Sequence, residues 1–524
     1  MNDVTVLTQD VNYSDVIVEA LARYPHRDAF VFGSRRVTYS QAASRIGRFM
    51  QVLSARGVSA DSTIAVLSPN VPEVWMLQAA VCLVGARYSG LHPLASVSDL
   101  QYVCEHAGVD FLVAHPDYLE RGMAVALGSN SIRQVLALGA SGDAEDLVAL
   151  SDRFPDAMLR RRHCEAEEVR WIAYTGGTTG RPKGVEIPDR ALLHQVQTTT
   201  TSLGLPEVPR FLAVAPISHA GVLPIVPTFA RGGTVVLQRG FDPQEWLATV
   251  AAERINWTFL VPTMLYALLD RTQPESCDLS SLETIMYGSS PMSVARLAEA
   301  HERIGPVFLQ AYGQTECVSF ATTLRKDEHE PLHNPRLLGS CGRAVLGMRV
   351  EILAEDNEPV RSGAVGEICV RGPGVMRGYH KMPEQTAEAL RGGWLHTGDL
   401  ASRDEDGFLY IVDRKKDMIV TGGFNVYSRE VEDVIAQVPA VSAVAVIGIP
   451  DEKWGEAVKA VVVARPGQVV DPVGLIDLVK TVKGAHQAPK SVDIVERLPL
   501  TSVGKIDKKA LREPYWAGRS RSVN

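Results

Sequence analysis

From residue 38 onward, short apolar runs alternate with amphipathic stretches, and that alternation leaves few architectures open. Ala42, Ile46, Phe49, Met50 and Leu53 recur at helical spacing, which predicts a helix over 38–57 ended by Gly57. Thr63–Leu67 then reads as a buried strand, 73–84 as a helix, 97–107 as another helix and 110–114 as a strand. The pattern resumes with strands at 169–174, 211–215, 233–237 and 257–261, and with a helix over 242–254 that Asp242 can cap. Strands of this kind predict an α/β fold with mostly parallel, helix-covered sheets. From about residue 347 the character changes. Val350–Leu353, Gly366–Arg371 and Gly407–Asp413 are short strands between Gly/Pro turns, reading as a curled antiparallel sheet or small barrel.

After the charged run Asp413-Arg-Lys-Lys-Asp417 comes an α+β unit. Its expected order is helix 428–437, strand 441–448, strand 457–464, helix 471–483 and strand 491–495. The chain is thus divided into a large N-terminal domain over 1–413, a hinge at 414–416 and a small mobile domain over 417–524. A length of 524 residues agrees with more than one core. A net charge of −8 gives no support to nucleic-acid or anionic-membrane binding. Seven scattered cysteines without a C-x-x-C pair suit a reduced, cytoplasmic protein with no structural zinc. The N-terminus lacks the pattern of a signal peptide, and no apolar run has the length of a membrane span.

One stretch carries chemistry on its own composition, Tyr174-Thr-Gly-Gly-Thr-Thr-Gly-Arg-Pro-Lys-Gly184. Glycines let backbone N–H groups approach an anion, threonine hydroxyls donate to phosphate oxygens, and Lys183 adds charge. It is neither a Walker A loop nor a Gly-x-Gly-x-x-Gly fingerprint, because Lys183 is followed by Gly184 and Gly176 is adjacent to Gly177. A Gly/Thr-rich surface turn has the same composition, so the rest of the chain must decide. Further polar, glycine-containing stretches follow apolar runs: Pro216–Gly221, Tyr287–Pro291, Gln310–Glu316, Trp394–Asp399 and Leu500–Asp507. Taken singly, Tyr312 can be a core aromatic, Glu316 a solvated acid, Asp399 a turn residue and Lys505 a surface lysine.

In combination and in this order, they resemble the adenylate-forming superfamily of acyl-CoA synthetases, peptide-synthetase adenylation domains and firefly-type luciferases, over about residues 30–512. The resemblance rests on the 174–184 loop, Tyr312-Gly-Gln-Thr-Glu316, Thr397-Gly-Asp399, Asp413–Asp417, Gly422-Gly-Phe-Asn-Val-Tyr427 and Gly504-Lys505. It implies that a carboxylate attacks the α-phosphorus of ATP, releasing pyrophosphate, and that a thiol, usually that of coenzyme A, then displaces AMP. It implies further that Thr175, Gly176, Gly177, Thr178, Thr179, Gly180 and Lys183 hold the β- and γ-phosphates, and that Glu316 holds Mg²⁺. Gly288, Ser289, Ser290, Tyr312, Gly313 and Thr315 would form the nucleotide wall. Asp399 would accept from the ribose hydroxyls, with Arg414 in support. Lys505 would bridge the carboxylate and the phosphate. His219 would sit beside the acyl pocket and gate it, joining Lys505, Thr175 and Glu316 as a catalytic candidate. Met264, Leu265, Ala311 and Gly313 are expected in the pocket walls. Lys416 would be the hinge residue and, with Gly422 and Gly423, would serve the thiol step after the small domain rotates.

Three positions depart from the family pattern. Gly176 stands where Ser is common, Gln487 where Lys is frequent, and Ser428 where Pro is usual, which is expected to loosen the first turn of the helix it opens. The partner is expected to be a small carboxylic acid, medium- or long-chain or aromatic, and a homodimer is a family-level expectation. A stand-alone enzyme loading a carrier protein or an amine is the alternative within the superfamily. A non-catalytic adenylate-binding protein and a luciferase-like oxygenase are the alternatives outside ligation.

Overall fold

The computed structural model describes residues 11–517 apart from 163, 176–180 and 502–504. The alternating pattern becomes two large sheets that share one apolar cluster. In the first, Val169–Thr175, Arg87–Leu91, Thr63–Leu67, Phe111–Ala114 and Gln134–Ala137 run parallel, and Lys183–Pro188 and Gly378–Tyr379 close one edge antiparallel. In the second, Phe308–Gln314, Thr284–Gly288, Trp257–Leu260, Arg210–Ala213, Thr234–Leu237 and Asp28–Phe32 are parallel, with antiparallel strands at both edges. Every residue of Thr63–Leu67 is buried, because helices cover both faces of a parallel sheet.

Local signals set the helix ends. Thr38 caps Tyr39–Ala55 in a reciprocal box with Gln41, and Asp242 caps Pro243–Glu253. Pro72 opens Pro72–Val84, and Gly85, at φ 90°, ends it in the left-handed conformation. This helix is buried on nearly all sides, and its Trp75 packs on Phe30 and Phe229 between the two sheets. Full burial of such an aromatic contributes roughly 3 kcal/mol.

The curled unit expected after residue 347 is a four-stranded antiparallel sheet. Its strand order is Arg349–Leu353, Gly366–Arg371, Leu395–Arg403, Leu409–Arg414. The small unit beyond it pairs Val441–Asp451 with Gly455–Ala464 and adds Ser491–Val495 parallel to the latter. Ser428–Ile435 and Pro472–Lys483 pack around Ile419, Val446 and Val458, while Lys508–Trp516 covers the other face through Leu511. Between the two units, Asp417 and Met418 donate their N–H groups to the Arg414 carbonyl, so the expected hinge is a tight turn.

Ser428 corrects an expectation. Its N–H and hydroxyl both donate to the Asp413 carboxylate, and Lys508 Nζ donates to its hydroxyl at 2.6 Å. Serine therefore fastens the first turn of its helix, because it keeps the N–H that proline lacks. Among the described residues, no helix is long and apolar enough to cross a membrane.

Candidate active site

The carboxyl ends of the parallel strands in both sheets open into one cleft of about 2090 Å³, the position where open α/β sheets place their ligands. Val169–Thr175 and Lys183–Pro188 form a hairpin in which Thr175 pairs with Lys183. Thr175 and Lys183, from the Gly/Thr-rich stretch, both line the cleft. Gly176, Gly177, Thr178, Thr179 and Gly180 lie outside the described residues.

On the opposite wall, Gly288 pairs with Ala311, and a Cβ at 288 would stand 2.1 Å from the Ala311 carbonyl oxygen. Glycine is required there for the strands to approach. Ser289 holds φ +67°, and Ser289, Ser290, Gly313 and Thr315 line the cleft. Tyr312 donates its hydroxyl to Asp399 Oδ2 at 2.7 Å, and Arg414 Nε lies 3.2 Å from Asp399 Oδ1. Strand register makes that second contact, because Asp399 faces Arg414 directly. Asp399 is buried, and burial together with its charge holds the Tyr312 hydroxyl protonated. Beside it, Glu367 accepts the Gly398 N–H and pairs with His396 Nδ1 at 3.0 Å and with Arg391 at 3.1 Å. These bonds brace the turn that carries Asp399.

Glu316 is 9% exposed, and its Oε1 accepts from the Tyr379 hydroxyl at 2.9 Å. Glu316 lines the cleft, and among the described residues its carboxylate is engaged through this one oxygen, a donor set that suits a hard cation such as Mg²⁺. The small unit contributes Lys505 to the same cleft. Burial, and next the Arg414 guanidinium, bring its ammonium down to about 8 against the opposing pull of Asp399 and Glu316. Lys416 also lines the cleft and is likewise lowered to about 8, by burial and then by Arg414.

His219 stands in the wall with its ring 5.1 Å from that of His92, and its Nδ1 is 2.9 Å from the Ser218 hydroxyl. Burial lowers His219 to about 3 and His92 to about 4, so both rings are neutral near pH 7. Leu223, Phe259, Val261, Val318 and Phe320 continue this wall together with Ala311 and Gly313. Met264 and Leu265 do not join it. Leu265 is fully buried in a core cluster and Met264 packs against the same cluster, because the helix Pro262–Arg271 turns that face away from the cleft.

Gly422 and Gly423 are not brought to the cleft. They form an exposed turn at φ 57° and 83°, with the Gly422 N–H donating to the Trp454 carbonyl. With Lys505 facing the cleft, this edge of the small unit faces outward. Sequence reasoning also passed over His92 and Tyr379. Neither sits in a glycine-rich motif.

The family model for AMP-binding enzymes matches residues 17–380, and that for the AMP-binding enzyme C-terminal domain matches 430–505. A medium/long-chain-fatty-acid–CoA ligase of Mycobacterium tuberculosis is 43% identical over 99% of this chain and 92% of its own length. A feruloyl-CoA synthase of Amycolatopsis is 36% identical over 94% of this chain and 96% of its own. Among solved structures, an amide bond synthetase from Marinactinospora thermotolerans superposes with a TM-score of 0.88 at 34% identity, covering 96% of this chain and 99% of that one. The chain belongs to the AMP-binding enzyme family, the adenylate-forming superfamily that its motifs resemble, and is of the acyl-CoA synthetase type.

Proposed function

We propose that the chain joins a medium- or long-chain fatty acid, or an aromatic acid, to coenzyme A by way of an acyl-adenylate. The observation that carries this reading is the entry of Lys505 into a cleft already lined by Thr175, Lys183, Glu316 and Asp399. In the first step a carboxylate oxygen attacks the α-phosphorus and pyrophosphate departs with the broken P–O bond. Bringing two anions together calls for charge neutralisation and alignment rather than covalent help. Lys505 supplies a positive charge between them, and Thr175 and Lys183 receive the departing phosphates. Asp399, positioned by Tyr312 and Arg414, accepts from the ribose hydroxyls. Mg²⁺ held by Glu316 would neutralise phosphate charge. In the second step the thiol sulfur attacks the acyl carbon and AMP leaves. Lys416 in its tight turn is the proposed pivot that carries Gly422 and Gly423 to the cleft for that step.

The wall formed by Leu223, Phe259, Val261 and Phe320 with two neutral imidazoles is suited to an uncharged tail. The two CoA-forming relatives, named for fatty and feruloyl groups, agree with that class. The amide bond synthetase likeness favours a second reading, in which an amine is the acceptor. A panel of acids read by pyrophosphate release, each with coenzyme A, a carrier protein or an amine, separates these. An apolar acid is expected to release about one equivalent of pyrophosphate by itself and to sustain release over many turnovers once coenzyme A is added. Acid-dependent release unaffected by coenzyme A, with product formed only on an amine, overturns the favoured reading.

A further inference from the structure

Tyr379 makes two contacts that connect opposite sides of the cleft. Its hydroxyl donates to Glu316 Oε1 at 2.9 Å, and its ring lies under the Lys183 ammonium, with Nζ 4.7 Å from the ring centre. Glu316 follows the strand Phe308–Gln314 of one sheet, and Lys183 begins the strand Lys183–Pro188 of the other. No backbone pairing joins those two strands. One side chain therefore connects the carboxylate suited to a metal with the cation beside the phosphate loop.

The segment around Tyr379 is itself held rigidly. Met376 donates its N–H to the Glu316 carbonyl, so the segment grips both the backbone and the side chain of that residue. Gly378 and Tyr379 pair antiparallel with Glu186 and Val185, and the His380 N–H donates to the Gly184 carbonyl. His380 Nδ1 meets Glu186 Oε1 at 2.7 Å, and the Tyr379 N–H donates to the Thr386 hydroxyl.

We propose that Tyr379 is a positioning residue for the adenylation step, fixing the Glu316 carboxylate for a divalent cation and the Lys183 ammonium for the β- and γ-phosphates before ATP enters. A carboxylate that binds Mg²⁺ through one oxygen needs its other oxygen held, or the group must be ordered on binding; partners in that role change metal affinity by about tenfold when removed. The ring contact does the same for a flexible lysine stem. The inference rests on the adenylating reading of the cleft, and its test does not depend on turnover.

The full chain with α,β-methylene-ATP is titrated with Mn²⁺, and bound metal is read by electron paramagnetic resonance. Tyr379→Phe, which keeps the ring and deletes the hydroxyl, should weaken Mn²⁺ binding about three- to tenfold. It should leave metal-free binding of the nucleotide unchanged. Tyr379→Leu, which deletes the ring as well, should also weaken metal-free nucleotide binding. Thioester formation from presynthesised acyl-adenylate should stay within about twofold in both variants, since neither metal nor pyrophosphate takes part in it, whereas a merely structural role would lower both half-reactions together. Wild-type Mn²⁺ affinity in Tyr379→Phe, or an equal loss of both half-reactions, overturns the proposal. Absence of acid-dependent pyrophosphate exchange in the wild type overturns the functional reading instead, and the Mn²⁺ titration still decides what Tyr379 does for Glu316.

Discussion

Raising the pH through 8 should switch off the first half-reaction through Lys505. The ammonium sits in a cleft where burial and Arg414 lower it from 10.5 to about 8. At about 1.4 kcal/mol per unit, and allowing for the solvent that a half-buried lysine keeps, charging it there costs roughly 2–3 kcal/mol. The sign follows from the direction of the shift. Below pH 8 the group is charged in both folded and unfolded chains and the whole cost is present; between 8 and 10.5 the folded chain releases its proton and the cost fades. Activity runs the opposite way, because only the charged form can bridge two anions. Between pH 7 and 9 the charged fraction falls about tenfold, and kcat/KM for the acid, measured by ATP–pyrophosphate exchange without any thiol, should fall with it. Lys505→Arg should retain weak exchange with a flat profile, since a guanidinium stays charged. Lys416 is lowered to the same region and is the competing source of the limb. A fall with pH that persists in Lys505→Arg and vanishes in Lys416→Arg would refute the assignment, as would a wild-type profile flat to pH 10.

Gly288→Ala places a Cβ 2.1 Å from the Ala311 carbonyl oxygen, and two paired strands cannot yield as a side chain can. A loss of about 2 kcal/mol or more in urea unfolding, with weaker ATP binding, is expected. Asp399→Asn leaves Arg414 and Tyr312 without their shared carboxylate; half-saturating ATP in the exchange assay should rise about ten- to a hundredfold, and an unchanged value would remove Asp399 from ribose recognition. Ser428→Pro restores the residue usual in the family but deletes the N–H and the hydroxyl that hold Asp413. It should lower stability by about 1 kcal/mol, proline's fit to a first helical turn offsetting part of the lost bonding, and a stabilised variant would show that the Asp413 contact contributes nothing.

The sequence by itself determined the parts that local rules govern. Period and caps were enough to locate Tyr39–Ala55, Pro243–Glu253 and the fully buried Thr63–Leu67, because a helix face or a buried strand is written in neighbouring residues. Composition singled out only Lys183 in its Gly/Thr-rich stretch; Glu316, Asp399 and Lys505 were picked out by the resemblance to the adenylate-forming superfamily, although the four are spread over more than half the chain. What only the tertiary structure decided was partnership. Tyr312 reaches Asp399 across 87 residues, and Tyr379 reaches Glu316 across 63. Strand register and sheet edges create such pairs, and neither is encoded at any fixed spacing. The same reason explains why Leu265 belongs to the core and not to the cleft wall, and why Ser428 fastens a helix that proline was expected to serve better. It also explains why Gly422 and Gly423 face outward. Which face of the small unit meets the cleft is a matter of how two folded bodies dock, and in this arrangement the docked face carries Lys505.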